Sequence, residues 1–275
     1  MRRTMGPFDI LKALVATMLG LIVIFPIYYA FSASFFTLSE FSASPPKLFP
    51  SSFSLHNYVR AWNDSLLPRF MANSLLVSFF GSVLRMVVAI LVAFAVALLR
   101  FKGRNLLFFV ILGTMMLPAD ALIIENYLTV SRMGLVDSYL GIMSVYLLAP
   151  VQLFMLRQSF KTIPQTYREV AAMDGCSDFR FLVSVVLPIS GSIVLTLWLH
   201  SFVTIWNTYL WPLLVTNKPL MRTVQVGITM LGYADSLDYG PIFAAITLLL
   251  LPSVAIFLVL RKRIVAGIAA GTIVG

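Results

Sequence analysis

Long apolar runs separated by short polar segments are the dominant pattern of this sequence. A helix needs about 20 apolar residues to cross the roughly 30 Å hydrocarbon core of a bilayer. Six runs approach or exceed that length, over about residues 13–36, 70–99, 105–130, 139–156, 181–205 and 242–260. The pattern therefore predicts an all-α integral membrane protein, in which residues 1–275 form a single transmembrane domain with six membrane helices.

The composition agrees with a membrane protein that is not itself an enzyme. Of the 275 residues, 60% are hydrophobic and 11% are charged, and the mean hydropathy is +0.93. A soluble domain has about half apolar and about a quarter charged residues. The single cysteine, Cys176, allows no internal disulfide and no cysteine-based metal site. The sequence also lacks a phosphate-binding loop, a nucleophile elbow and a zinc-protease motif.

The basic residues are divided unequally between the two sets of loops. One side holds 13 of them, namely Arg2, Arg3, Lys12, Arg100, Lys102, Arg104, Arg157, Lys161, Arg168, Arg180, Arg261, Lys262 and Arg263. The other side holds 6, namely Lys47, Arg60, Arg69, Arg132, Lys218 and Arg222. Because cytoplasmic loops carry the excess of Lys and Arg, both termini and the loop at 157–180 are predicted to be cytoplasmic. The net charge of +9 is then a signal of topology, and no nucleic-acid partner is expected.

The polar segment 164–188 has the pattern of two short helices. Residues 165–173 are good helix formers, and Gly175 follows where a C-terminal cap needs a residue that tolerates a positive φ. Ser177 or Asp178 can cap the next helix. Helices shorter than about 12 residues are marginal in water, so we expect the first helix to lie in a groove of another protein.

The same segment resembles the membrane subunits of binding-protein-dependent ABC importers. That family carries Glu-Ala-Ala, three residues, Gly, nine residues and Ile-x-Leu-Pro, and this sequence has the same spacing with valine at 170 and 185. The resemblance implies a cytoplasmic coupling helix that docks into an ATPase subunit. Its coupling residues would be Glu169, Val170, Ala171, Asp174, Gly175, Leu187 and Pro188. Glu169 would make a polar contact in the ATPase groove, and Gly175 would permit the turn.

Further stretches resemble the carbohydrate and polyol branch of these permeases, which includes the maltose type. They are Leu117-Pro118, Gly134 to Tyr139, Arg157 to Phe160 and Trp206 to Leu213, and the similarity covers about residues 70–260. Asp120 and the Asp-Ser-Tyr at 137–139 are most similar to glycerol-3-phosphate and glycerophosphodiester permeases. Glu125 departs from the pattern, since many members have proline there.

The resemblance also implies the partners of the chain. They would be a second permease subunit, two ATPase subunits and an external solute-binding protein, assembled in the inner membrane of a bacterium. ATP and Mg would bind to the ATPase subunits, and this chain would bind no cofactor and no metal. The transported solute would be of the glycerol-phosphate or glycerophosphodiester type.

Polar residues in or near the apolar runs are candidates for the translocation pathway. Arg85 and Asp120 both lie roughly 22–24 Å from the cytoplasmic ends of their predicted helices, at 1.5 Å per residue. Because a charge at mid-bilayer costs about 2.5–3.5 kcal/mol, Arg85 either pairs with Asp120 or faces the pathway and meets an anionic solute. The other candidates are Glu125 at the outer boundary and Trp206, Asn207 and Tyr209, whose aromatic rings also fit an interfacial belt.

Two alternative functions fit parts of the pattern. A permease for a neutral di- or oligosaccharide, such as a maltose- or trehalose-like sugar, would not need a cation such as Arg85 in its pathway. An ion-coupled secondary transporter would show inverted repeats with broken helices and several intramembrane carboxylates. Asp120 is the one carboxylate that the sequence clearly places in this way.

Overall fold

The structure is a computed structural model that describes residues 6–234 and 239–272. Within these ranges, side chains are described except at positions 7, 10, 119, 120, 231–234, 257 and 259–272. Helices joined by short loops form the described part of the chain, in which no β-strand occurs. The all-α fold that the apolar runs predict is therefore confirmed.

The helices follow the chain in this order. The first part contains α1 (Pro7–Ala33), α2 (Leu38–Phe41), α3 (His56–Asn63), α4 (Leu67–Leu98) and α5 (Arg104–Gly113). The middle part contains α6 (Ile123–Arg132), α7 (Tyr139–Ser144), α8 (Pro150–Lys161), α9 (Gln165–Met173), α10 (Asp178–Phe181) and α11 (Leu187–Ile189). The last part contains α12 (Gly191–Trp206), α13 (Leu210–Val215), α14 (Val224–Ala234) and α15 (Gly240–Thr272). A π-helical turn, Leu182–Val186, connects α10 to α11.

The predicted count of six membrane helices is not confirmed by the structure. Among the described residues, two helices are long and apolar enough to cross a bilayer by themselves, Leu11–Ala33 and Leu67–Leu98. A third crossing results if the bent pair Asp178–Ile189 and Gly191–Trp206 is one span. The sixth predicted run lies inside α15, which continues to Thr272.

Proline explains why the third, fourth and fifth predicted spans are interrupted. Pro118 separates α5 from α6, and Pro150 begins α8 after a break that follows α7. Proline donates no backbone hydrogen bond, and it disfavours the helical conformation in the residue before it. In the fifth span, α11 contains Pro188, and the segment Asp178–Ile189 meets Gly191–Trp206 at an angle of 85° beside Ser190. The helix is therefore interrupted within each of these three predicted spans.

The described chain divides into two compact units, of which the first comprises Met1–Pro68 and Gly227–Pro252. Aromatic rings hold this unit together: the Phe243 ring centroid lies 6.1 Å from that of Tyr29 and 5.7 Å from that of Phe41. A Cβ atom on Gly240 would lie 2.5 Å from Asn57 Nδ2. Position 240 therefore requires glycine, because α15 begins in direct contact with the buried Asn57.

Glu40 organises the loop that follows α1. Its side chain is 5% exposed, and it accepts hydrogen bonds from the backbone N–H groups of Thr37 and Ser51, both at 2.8 Å. Lys47 Nζ lies 3.2 Å from the same carboxylate. The hydrogen bonds from Ser51 and Thr37 lower the pKa of Glu40 well below its ordinary value. The loop is therefore folded around a buried carboxylate.

The second unit comprises Arg69–Val226 and Ser253–Gly275. Its core includes Ala93 of α4, Leu156 and Phe160 of α8, and Val186 of the π-helical turn, which are all fully buried. Residues of the long helix α4 therefore pack against the elements that surround the predicted coupling segment.

The charged residue Asp137 fixes the loop before α7 through its carboxylate, which accepts hydrogen bonds from the N–H groups of positions 217 and 218 at 2.6 and 2.8 Å.

Replacing Glu40 by glutamine is expected to destabilise the first unit by about 1–3 kcal/mol at pH 7, because buried hydrogen-bonding groups lose a charged partner. The folded-state pKa of Glu40 is lowered, so its contribution is fully present above the ordinary carboxyl pKa of 4.5 and declines as the pH falls below it. Thermal unfolding and limited proteolysis of the purified protein from pH 7 to pH 3 measure both effects. Glu125→Gln, at an exposed glutamate, is the control. Equal stability of the Glu40 variant and the wild type would contradict the interpretation.

Candidate functional site

The segment predicted to couple to an ATPase folds as a short helix with a defined C-terminal end. Gly175, just beyond α9, has a φ of +67°. Its N–H donates to the carbonyl of Ala172 at 3.1 Å. The next N–H, of Cys176, donates to the carbonyl of Ala171 at 2.9 Å. This arrangement is a Schellman motif, in which the left-handed residue is usually glycine, so the conformation predicted for Gly175 is confirmed.

The helix that follows is capped as the sequence predicts. Ser177 precedes α10, and its Oγ accepts the N–H of Arg180 at 3.3 Å. Farther along, the predicted coupling residues Leu187 and Pro188 form the start of α11. Leu187 packs against the core of the second unit. These two residues therefore lie at the bend of the fifth predicted span and not on the surface of α9.

Helix α9 presents faces of three different kinds. One face lines a cleft in the second unit with Gln165, Arg168, Glu169 and Ala172. A second face contacts the core through Ala171. The third face is apolar and exposed, with Tyr167 at 51%, Val170 at 59% and Met173 at 87%. Exposed apolar groups gathered on a short helix are typical of a docking surface, so the docking face is defined by these last three side chains.

Arg168 attaches α9 to the rest of the second unit. Its Nη1 donates to the backbone carbonyl of Leu98, at the end of the long helix α4, and its Nη2 lies 3.1 Å from Asp178 Oδ1. A guanidinium can make both contacts because its donors point in fixed, divergent directions. Arg168 therefore connects α9 directly to the end of α4.

The remaining coupling candidates lie on the polar surface of the same segment. Glu169 is exposed, and its carboxylate accepts a hydrogen bond from Gln165 Nε2 at 3.0 Å. Asp174 is the C-terminal cap of α9 and is also exposed. Glu169 faces the cleft, whereas Val170 belongs to the docking face and Ala171 to the core. The predicted residues are thus close in space but point in three directions.

Arg85 lies in the middle of α4 beside Tyr146, within the second unit. The Nε atom of Arg85 is buried and has no hydrogen-bond partner among the described residues. The side chain of Asp120 lies outside the described residues, so an ion pair between Arg85 and Asp120 stays a prediction. Glu125 is exposed in the first turn of α6.

The three pathway candidates after α12 differ in exposure. Trp206 is 1% exposed, and its ring stacks on Phe202 with a centroid distance of 6.1 Å. It therefore packs in the core and does not line an open surface in this conformation. Asn207 is exposed and lines a cavity, and Tyr209 is 39% exposed.

A polar stripe along α12 lines the same cavity of about 460 Å³, and sequence reasoning identified Asn207 alone among its four residues. Thr196, His200, Thr204 and Asn207 form this stripe at spacings of four, four and three residues, which places them on one helix face. The spacing of these four polar residues is visible in the sequence, but the apolar residues between them dominate the run. His200 Nδ1 lies 3.4 Å from Nε2 of the buried Gln152.

The described residues contain no cluster of side chains that could ligate a metal ion. Within residues 6–234 and 239–272, no group of three or more His, Cys, Asp or Glu side chains is placed as metal ligands would be. The polar stripe on α12 contains a single imidazole among hydroxyl and amide groups. These groups can donate and accept hydrogen bonds.

Several known proteins are similar to this chain. A permease protein of Rhizobium meliloti (strain 1021), described as sn-glycerol-3-phosphate transport system permease protein UgpE, is 32% identical over 257 residues, which cover 90% of this chain and 91% of that protein. The protein of the same description from Escherichia coli O1:K1 / APEC is 32% identical over 255 residues, with coverages of 90% and 91%.

A solved structure has the same fold. It is one chain of a bacterial ABC transporter involved in the import of the acidic polysaccharide alginate, with a TM-score of 0.84 and 23% sequence identity. The match covers 95% of this chain and 98% of that one. The family model of the binding-protein-dependent transport system inner membrane component matches residues 85–269, which include the polar stripe, the cleft and α9. This chain therefore belongs to the family of inner membrane components of binding-protein-dependent ABC importers.

Proposed function

We propose that this chain is the permease subunit through which a glycerol-phosphate or glycerophosphodiester solute crosses the inner membrane. The observation that carries the proposal is the identity of about one third, over nine tenths of both chains, to permeases named for sn-glycerol-3-phosphate transport. The driving force is ATP hydrolysis in a separate subunit, since the sequence has no phosphate-binding loop of its own.

The proposed assembly contains a second permease subunit, two ATPase subunits and an external solute-binding protein. ATP and Mg bind to the ATPase subunits, and no cofactor binds to this chain. Both termini and α9 lie on the cytoplasmic side, which the excess of basic residues on that side supports. The docking face of α9 would then point toward the compartment that contains ATP.

The proposed coupling step is a rigid displacement of α9. Tyr167, Val170 and Met173 insert into a groove of the ATPase subunit, and closure of the ATPase dimer moves α9 with it. Because Arg168 holds the carbonyl of Leu98, the movement reaches the end of α4. Glu169 is proposed to add a polar contact at the edge of the groove.

The proposed passage for the solute follows the polar face of α12. Hydroxyl, imidazole and amide groups exposed along an apolar helix are costly against lipid, so such groups usually face water or a polar partner. His200 and the remaining amide N–H of Asn207 can donate to the phosphate oxygens of a solute. The Thr204 hydroxyl donates to the carbonyl of His200 at 2.7 Å, so it can accept from a solute hydroxyl. Arg85, with a buried Nε atom that has no described partner, is the cation proposed to attract the phosphate.

Two glutamates on the docking face are expected to detach the ATPase subunits. Val170→Glu combined with Met173→Glu should weaken the contact by at least about 2 kcal/mol, or roughly 30-fold, because unpaired carboxylates would be buried in an apolar groove. Co-purification of the ATPase subunits with the tagged permease measures the loss. Phe53→Glu is the matched control, since Phe53 is 78% exposed in the loop predicted to be external. Wild-type ATPase retention and ATP-dependent uptake in the double variant would refute the docking face.

The solute is tested with the whole complex in proteoliposomes, supplied with labelled sn-glycerol-3-phosphate, its phosphodiester or a disaccharide. Wild-type protein should import a phosphate-bearing solute only with ATP. Arg85→Gln should raise the KM for that solute about tenfold or more, and Arg85→Lys less, because lysine keeps the charge but not the forked donors. Thermal unfolding of each variant verifies that it is folded. Import of the disaccharide alone would reassign the solute, and import without ATP under an ion gradient would refute the mechanism.

A further inference from the structure

A large cleft lies beside α9, on the side away from its docking face. The cleft has a volume of about 740 Å³ and is bounded by the end of α4, the start of α5, the end of α8 and α9. All of these elements belong to the second unit. Since α4 ends and α5 begins there, and both are apolar helices, the cleft lies at the level where hydrocarbon gives way to lipid headgroups.

The cleft carries an excess of positive charge. Arg100, Arg104, Lys161 and Arg168 line it, and Glu169 is the one carboxylate among its lining residues. The first turns of α5 and α9 also open onto it, and the N-terminus of a helix favours an anion. Lys161 in turn offsets the dipole at the C-terminal end of α8. The cleft is therefore electrostatically matched to an anion.

Two of the four cations already have partners within the protein. Arg104 Nη1 donates to the carbonyl of Leu99 at 3.0 Å, and Arg168 contacts Leu98 and Asp178. Arg100 and Lys161 are exposed and have no hydrogen bond or ion pair to another described side chain. These two cations can therefore bind a ligand without disrupting contacts that hold the fold.

The surface next to the cleft is apolar and exposed. On α5, which begins at Arg104, Leu106 is 69% exposed and Phe109 is 67% exposed. On α8, Val151 is 46% exposed and Met155 is 44% exposed. The helices that contribute Arg104 and Lys161 to the cleft thus also carry exposed apolar side chains. This combination suits a molecule with an anionic head and apolar chains, whereas a soluble anion would make no contact with the apolar side chains.

We propose that this cleft binds the headgroup of an anionic phospholipid, with its phosphate between Arg100 and Lys161 and its acyl chains along the exposed sides of α5 and α8. Because Arg168 and Glu169 of α9 form the opposite wall, the bound lipid contacts the coupling helix directly. The site is independent of the solute that the permease carries.

The test compares lipid retention by the intact, purified complex in native mass spectrometry. The complex is titrated with phosphatidylglycerol or with phosphatidylcholine of the same acyl chains. The variant Arg100→Gln combined with Lys161→Gln removes both available cations. The matched control is Lys102→Gln combined with Arg180→Gln, which removes the same charge from exposed positions that do not line the cleft.

The expected result is that the wild type and the control retain phosphatidylglycerol in preference to phosphatidylcholine. In the Arg100→Gln, Lys161→Gln variant the preference should fall by roughly fivefold for each cation removed. Equal retention of the two lipids by the wild type would overturn the proposal, as would equal losses in both pairs of variants.

Two further measurements separate the lipid from other anions. Inorganic phosphate at millimolar concentration should leave the bound phosphatidylglycerol in place, because it lacks the apolar contacts. Displacement by phosphate alone would overturn the assignment to a lipid. The Arg100→Gln, Lys161→Gln variant could instead lose the ATPase subunits and retain the lipid unchanged. That result would assign the cleft to a protein contact and would overturn the proposal of a lipid site.

Discussion

The absence of water from the hydrocarbon core is the constraint on which this structure depends. A backbone or side-chain polar group placed there must find a partner within the protein, so the chain is built from helices. The same constraint makes its exceptions informative. Thr196, Thr204 and Asn207 meet this constraint by donating to backbone carbonyls one turn back in their own helix. Arg85 on α4 has a buried Nε atom without a hydrogen-bond partner among the described residues, and such a group is costly unless it meets a solute, water or a partner subunit.

The bend in the fifth predicted span lies between two segments that have proposed roles in transport. The 85° bend between Asp178–Ile189 and Gly191–Trp206 lies directly after Leu187-Pro188, and a π-helical turn precedes these two residues. Such turns and prolines are the usual causes of sharp helix bends. The bend therefore lies between the segment proposed to couple to the ATPase subunit and the polar stripe proposed to line the passage of the solute.

Helix α9 combines three contacts in nine residues. Its outer face is apolar and exposed, Ala171 contacts the core, and Arg168 and Glu169 border a cationic cleft. A helix this short has little stability of its own. Its position therefore depends on the Schellman turn at Gly175 and on the contacts of Arg168, and any ligand of the cleft would act on that position.

The sequence by itself determined the helical class, the short helix at 165–173, the cap at Ser177 and the positive φ at Gly175, because hydrophobic period, capping and turn chemistry are local properties. Only the tertiary structure decided which predicted spans are broken, that Trp206 is buried while Asn207 is exposed, and that Arg100 and Lys161 share a cleft with Arg168. Exposure and proximity arise from packing between residues far apart in the chain. A pattern read along one helix gives the face on which a residue lies, but the elements packed around it decide what that face meets.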